Sequence, residues 1–157
     1  MAPIKRSAQL APLSREHHEG LLLSWKIRQG LARAIDAKRI SAYLQWFWET
    51  ELADHFRREE AAFHPVLPGA PLLARMQEEH EEIEGLIHVD AQIPDADLLG
   101  EIAQKVTDHI RFEERELFPW IEAQLGDEKL TALQAIVDRA KGADCPAWTD
   151  DFWTNSR

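Results

Sequence analysis

The chain has a single cysteine, Cys145, among its 157 residues, so it can form neither an internal disulfide nor a thiolate metal site. Positive charge is scarce as well: 18 lysines and arginines face 28 aspartates and glutamates, for a net charge of −10. That balance argues against a nucleic-acid or anionic-membrane partner, since both need a basic face. Apolar runs are far too short for a membrane span. The opening "MAPIKRSAQLAPLS" lacks a continuous apolar core and a cleavage site, so no signal peptide is read there. No strand alternation, nucleotide-binding glycine loop or nucleophile arrangement is visible. What these absences leave is a cytoplasmic all-α protein of one domain, residues 1–157.

Helical periodicity fills most of the chain. A loose arm to Leu13 precedes a first helix, capped by Ser14 and running to about Ile35. The second runs from Ser41, as N-cap, to about Phe63, where Pro65 stops it. Pro71 suits the first position of a third helix reaching about Ala91. Asp95 or Asp97 caps a fourth that reaches Leu125, with a kink expected at Pro119, and Gly126 ends it. Asp127 caps a short fifth helix to about Ala140. The tail "CPAWTDDFWTNSR" is irregular, and its Trp148, Phe152 and Trp153 are expected to fold back on the helices. Short loops between long helices predict an up-down-up-down antiparallel four-helix bundle with its core over about 10–125, followed by a short fifth helix and tail over 126–157.

Seven histidines are the conspicuous surplus. The stretch "DHIRFEERELFPW" carries His109 and Glu113 four residues apart, about 40° from one another around a helix. Upstream, "DHFRREEAAFHPV" repeats the arrangement with His55 and Glu59. The first and third helices each contribute an acid–histidine pair, Glu16–His17 and Glu79–His80. The chain therefore reads as two similar hairpins, each offering one histidine and then a His–Glu pair. Residue counts along neighbouring helices bring the histidines to one level, with a mismatch of about 7 Å in the first hairpin at 1.5 Å per residue. Within each glutamate doublet the i+4 member, Glu59 or Glu113, faces inward; Glu60 and Glu114 turn to solvent or a neighbour.

A single i,i+4 His–Glu pair is ordinarily a surface pair. Four imidazoles and two carboxylates buried together would leave many polar atoms unpaired without a metal. Each carboxylate has two oxygens, so the pair can bridge two metals while the histidines divide two and two. Imidazole and carboxylate without thiolate suit iron or manganese, with zinc admissible. The candidate ligands are His17, His55, Glu59, His80, His109 and Glu113, with His18 the substitute for His17. His64 and His88 fall outside the pattern. Glu84 and Glu116 are two further carboxylates expected to point inward, as extra ligands or as supports. Trp25, Phe56 and Phe112 are expected to keep the pocket dry.

The order H…H-x-x-x-E…H…H-x-x-x-E, with "LFP" after the last pair, resembles the hemerythrin-like (HHE cation-binding) family over about Leu10 to Leu125. The resemblance implies a non-haem di-iron centre, two Fe ions with an oxo or hydroxo bridge, ahead of Mn or Zn. It implies the same six ligands, with Glu59 and Glu113 bridging. Oxygen-carrying hemerythrins have a further histidine one turn before the third-helix ligand, where this chain has Met76. The resulting four-histidine set is similar to that of family members linked to nitric-oxide or iron–sulfur damage repair and to iron sensing. Fewer protein ligands favour reaction with O2, NO or peroxide over simple reversible carriage, unless Glu84 fills the position. The implied function is a di-iron protein that binds, senses or reacts with a small diatomic ligand or peroxide, rather than a dedicated enzyme. The alternatives are an iron-storage or iron-sensing module and an oxidase or peroxidase-like enzyme at the same centre.

Overall fold

Helix is the only regular structure among the described residues of the computed structural model, 5–138 and 147–154. Helix α1 spans Ala11–Ala32. Helix α2 runs over 37–63 as Ala37–Phe47, a π-helical turn Trp48–Leu52, and Ala53–Phe63. Helix α3 is Pro71–Gln92. Helix α4 runs over 96–124 as Ala96–Phe112, a second π-helical turn Glu113–Leu117, and Phe118–Gln124. A short α5, Asp127–Val137, packs on the second half of α2. The connections between α1 and α4 are a few residues each, so consecutive helices run antiparallel, and α4 closes the bundle against α1. No helix among the described residues is long and apolar enough to cross a membrane.

Several helix ends depart from expectation, each for a local reason. Helix α1 begins at Ala11, with Pro12 in its first turn, and Ser14 lies inside it. It stops at Ala32, not Ile35, because Ala34 adopts a left-handed φ of 55° and Ile35 N–H returns to the Gly30 carbonyl. No glycine marks that stop. Asp36, not Ser41, caps α2: its side chain accepts from Lys38 N–H. Ser41 sits inside the helix and donates to the buried Asp90 of α3. Gly126, not Asp127, is the N-cap of α5, which ends at Val137; Ala140, Gly142 and Cys145 lie outside the described residues.

The kink expected at Pro119 takes the form of the π turn just before it. Phe118 N–H bonds five residues back to the Glu113 carbonyl. In that frame Pro119, lacking an N–H, leaves the Glu114 carbonyl without its helical donor. Arg6 supplies one, its guanidinium donating to that carbonyl at 2.7 Å and to Glu122 at 2.8 Å. The N-terminal arm is thus bound to the bundle by 5–13, with Leu10 and Leu13 fully buried, and is not loose.

Two apolar cores lie at opposite ends of the bundle. One includes Leu23, Leu44, Ile83 and Val106; the other includes Leu13, Phe63, Met76 and Phe118. On α1 and α3 the change from one core to the other brackets His17 and His80; on α2 and α4 it falls just past His55 and His109, between Phe56 and Ala62 and between Ile110 and Phe112. On α1, Leu21 is 41% exposed and the inward positions are Leu13, His17, Gly20, Leu23, Ser24, Ile27 and Gly30. A Cβ on Gly20 would lie 2.7 Å from Ile110 Cδ1, so at this level the Ile110 side chain of α4 packs directly onto the α1 backbone. The tail folds back as expected: Phe152 is 2% exposed and fills the space above Gly30.

Candidate metal centre

The layer between the cores holds six ionisable side chains. His17, His55, Glu59, His80, His109 and Glu113 are all buried, the two glutamates completely. Their donor atoms form two groups, His17–His55–Glu59–Glu113 and Glu59–His80–His109–Glu113, in each of which the atoms lie within 4.8 Å of one another. Both glutamates belong to both groups. Glu59 Oε1 is 3.2 Å from Nε2 of His55 and 3.2 Å from Nε2 of His80. Glu113 reaches His17 at 2.9 Å through Oε1 and His109 at 3.4 Å through Oε2.

Each histidine is held from behind by another glutamate, a feature that the sequence reading missed. Nδ1 of His17 donates to Glu114, that of His55 to Glu16, that of His80 to Glu60 and that of His109 to Glu79, at 2.7 to 2.8 Å. A carboxylate can only accept here, so Nδ1 carries the proton. In the neutral imidazole the Nε2 lone pair then points inward, toward Glu59 and Glu113. Every outer glutamate adjoins a candidate ligand on its own helix and supports a histidine on the neighbouring one. The bonds run α1 to α2, α2 to α3, α3 to α4 and α4 to α1. The signal was present in the doublets Glu16–His17, Glu59–Glu60, Glu79–His80 and Glu113–Glu114, whose outer acids Glu16, Glu60, Glu79 and Glu114 each turn to a neighbouring helix.

Electrostatics match this arrangement. Burial opposes charge on His55, but Glu59 and Glu16 outweigh it and raise its pKa to about 9. Against the same opposition from burial, His17, His80 and His109 are also raised. Glu113 is held well below the usual carboxylate range despite burial, by His109, His17 and His80. Glu16, likewise opposed by burial, is lowered to about 2 by His55 and Arg58. Even so, Nε2 of His55, His80 and His109, both oxygens of Glu59 and Oε2 of Glu113 are buried without a hydrogen-bond partner. Such atoms are costly in a protein interior. They all face one small volume, and nitrogen and oxygen donors in that number fit a pair of divalent first-row metals.

The other candidates fall elsewhere. His18 is exposed, His88 is 59% exposed, and His64 meets Gln77 at 2.9 Å. Glu84 is 49% exposed, because Ile83 takes the inward place beside His80. Glu116 is 55% exposed and pairs with Arg75; the extra residue of the π turn rotates it off the His109 stripe. Met76 packs fully buried in the apolar core. Trp25, expected to line the pocket, is 48% exposed. Phe56 does line it, stacked on the His80 ring with centroids 3.9 Å apart, and Phe118 stacks on His17 at 5.3 Å. Phe112 is buried beyond His109.

A cavity of about 20 Å³ adjoins the cluster, walled by Leu52, Phe56, Val106 and Ile110 and reaching His17, His55 and His109. Residues 9–121 match the hemerythrin HHE cation-binding domain. The chain belongs to that family. No curated protein and no solved structure gives a match. For this hemerythrin-family chain, cation binding and the helical bundle follow from membership together with the buried histidine–glutamate clusters.

Proposed function

We propose that the chain, a single cytoplasmic domain, binds two iron ions through His17, His55, Glu59, His80, His109 and Glu113, and uses them to bind, sense or react with a small ligand such as O2, NO or peroxide. The sharing of both glutamates by two four-residue groups carries this reading. A single-metal site needs no such duplication. Bound iron would supply a Lewis-acidic, redox-active position for the ligand. The chain's own part is to orient the imidazoles through Glu16, Glu60, Glu79 and Glu114 and to exclude water with Phe56, Phe118 and the flanking aliphatic side chains. The apolar cavity of about 20 Å³ has room for a water-sized or diatomic molecule and little more, which favours a small ligand over an organic substrate. Met76 and Glu84 supply no further donor, so the set stays at four histidines and two carboxylates.

Iron sensing has one observation of its own in its favour. Arg58 bonds Glu16, which supports His55, and also donates to the Val137 carbonyl at the end of α5 at 2.7 Å. A change at His55 therefore bears on the seating of α5.

Metal analysis with an optical spectrum tests the main reading. Protein produced with iron should carry about two irons per chain and absorb in the near-ultraviolet. His109→Ala and Glu59→Ala should lose that iron while staying helical. No iron after anaerobic, reducing reconstitution would refute it.

A further inference from the structure

The aromatic residues of the tail have no part in the metal centre, yet they complete a cavity of about 280 Å³ against the first hairpin. Tyr43 and Trp46 line it from α2, and Trp148 and Trp153 from the tail. Tyr43 lies 5.3 Å, centroid to centroid, from both Trp148 and Trp153, and Trp46 lies 5.8 Å from Trp148. Three carboxylate residues, Glu19, Glu51 and Asp151, stand at the same cavity, against one cation, Lys26. The Lys26 ammonium sits 4.2 Å over the Trp153 ring and 5.4 Å over Tyr43.

We propose that this cavity is a binding site for an organic ammonium of the quaternary or alkylated class. Ring faces carry negative potential and attract a weakly hydrated cation, and a cage of several rings is the usual means of recognising one. The chain supplies its own demonstration in Lys26, a cation already held against two of the rings. An anionic ligand would meet three carboxylates. A bare metal ion fits poorly, since Glu19, Glu51 and Asp151 do not belong to either group of donors close enough to hold one. The cavity of about 280 Å³ is lined by Lys26 together with the rings. Lys26 repels an entering ammonium and sets the affinity below what the rings alone would give.

The walls are held firmly enough to act as a site. The Arg39 guanidinium pairs with Asp150 at 2.6 and 3.0 Å, Trp148 Nε1–H donates to the Asp150 carbonyl at 2.7 Å, and Phe152 is buried beneath. Glu19, Phe47 and Glu51 also line the small cavity at His17 and His55, which places the two spaces side by side. The proposal does not depend on which metal the centre holds.

Calorimetric titration with choline chloride, at constant ionic strength, tests it on the full chain. Its uncharged isostere 3,3-dimethyl-1-butanol is the control. Choline should bind saturably and the alcohol about tenfold or more weakly. Lys26→Ala should tighten choline binding about tenfold by removing the competing cation. Trp153→Leu should abolish it, and Asp151→Asn, an exposed change that leaves the rings in place, should weaken it. Equal binding of choline and the alcohol would reduce the site to an apolar hollow and overturn the proposal. Absence of saturable heat in both the wild type and Lys26→Ala would do the same.

Discussion

Replacing Glu16 with glutamine removes the charge behind His55 while keeping the shape of the side chain. The structure sets the size of the effect. Glu16 is held down from 4.5 to about 2, with burial opposing and His55 and Arg58 prevailing. That corresponds to about 3 kcal/mol in favour of the charged form, reduced to about 2 kcal/mol by the water that reaches the group. Arg58 keeps Asp54 and the Val137 carbonyl as partners, so the variant should fold. The neutral amide orients the ring less firmly and lowers its basicity, which should weaken metal at His17–His55 about 10- to 100-fold. The His80–His109 group leans on Glu60 and Glu79 instead and should be largely spared. Glu79→Gln should give the mirror result, weakening metal at His80–His109. Chelator competition against ferrous iron, run anaerobically on both variants, resolves the two binding steps. One step should weaken and the other remain in each variant. Equal weakening of both steps, or no change in either variant with helicity intact, would show that the outer glutamates do not act on individual histidines.

Two further outcomes follow from the same geometry. For the metal-free protein, His55 contributes stability that is fully present below pH 6.5 and lost as pH rises through its folded value of about 9, a loss on the order of 3 kcal/mol. Glu16 contributes stability present above pH 4.5 and lost as pH falls toward about 2. Chemical denaturation should therefore find the metal-free bundle most stable between about pH 4.5 and 6.5. Bound metal displaces those protons, so the iron-loaded protein should instead hold or gain stability above pH 6.5. A metal-free stability that climbs steadily from pH 6 to 9 would contradict the ion pairing assigned to the pocket. At the other end of the bundle, a Cβ on Gly30 would lie 2.8 Å from the Phe152 ring and 2.9 Å from Ile40 Cδ1. Gly30→Ala should cost about 1–3 kcal/mol and loosen the tail. Limited proteolysis should then cut near Trp148 while the metal content stays at the wild-type value, and a tail as resistant as the wild type would speak against that packing.

The helical class, the repeat and the six inward residues were legible because each rests on spacing that a helix converts directly into direction. His109 and Glu113 share a face whatever surrounds them, and so do His55 and Glu59. The misplaced features all depend on something that spacing does not encode. Ala34 ends α1 with a backbone angle usually signalled by glycine. The π turn at Glu113–Leu117 shifts the helical phase, which moved Glu116 out to solvent after the phase had been right for Glu113. Trp25 and Leu21 look apolar enough to face the core, yet the inward face of α1 is that of Leu13, Leu23 and Ile27, interleaved with Gly20 where Ile110 of α4 packs onto its backbone.

The outer glutamates show a different limit, and they bear on how the site works. Read along one helix, Glu60 and Glu114 are merely the wrong members of their doublets, at i+5 from the histidine. Read across the bundle, each is the nearest carboxylate to the histidine of the next helix. The same offset that removes them from their own helix's stripe aims them sideways at a neighbour. An H-x-x-x-E-E segment is therefore a two-way device: its first glutamate faces the centre, and its second fixes a ring that another helix presents. The acid–histidine pairs of α1 and α3 do this in reverse order, with Glu16 and Glu79 turning sideways while His17 and His80 point inward. Four such bonds close a ring around the bundle, so the orientation of every imidazole is tied to the packing of two helices. Metal affinity and bundle stability are then parts of one equilibrium. A substitution that shifts the seating of any one long helix should register first at the histidine supported by that helix's outer glutamate, on the neighbouring helix, and only afterwards at its own.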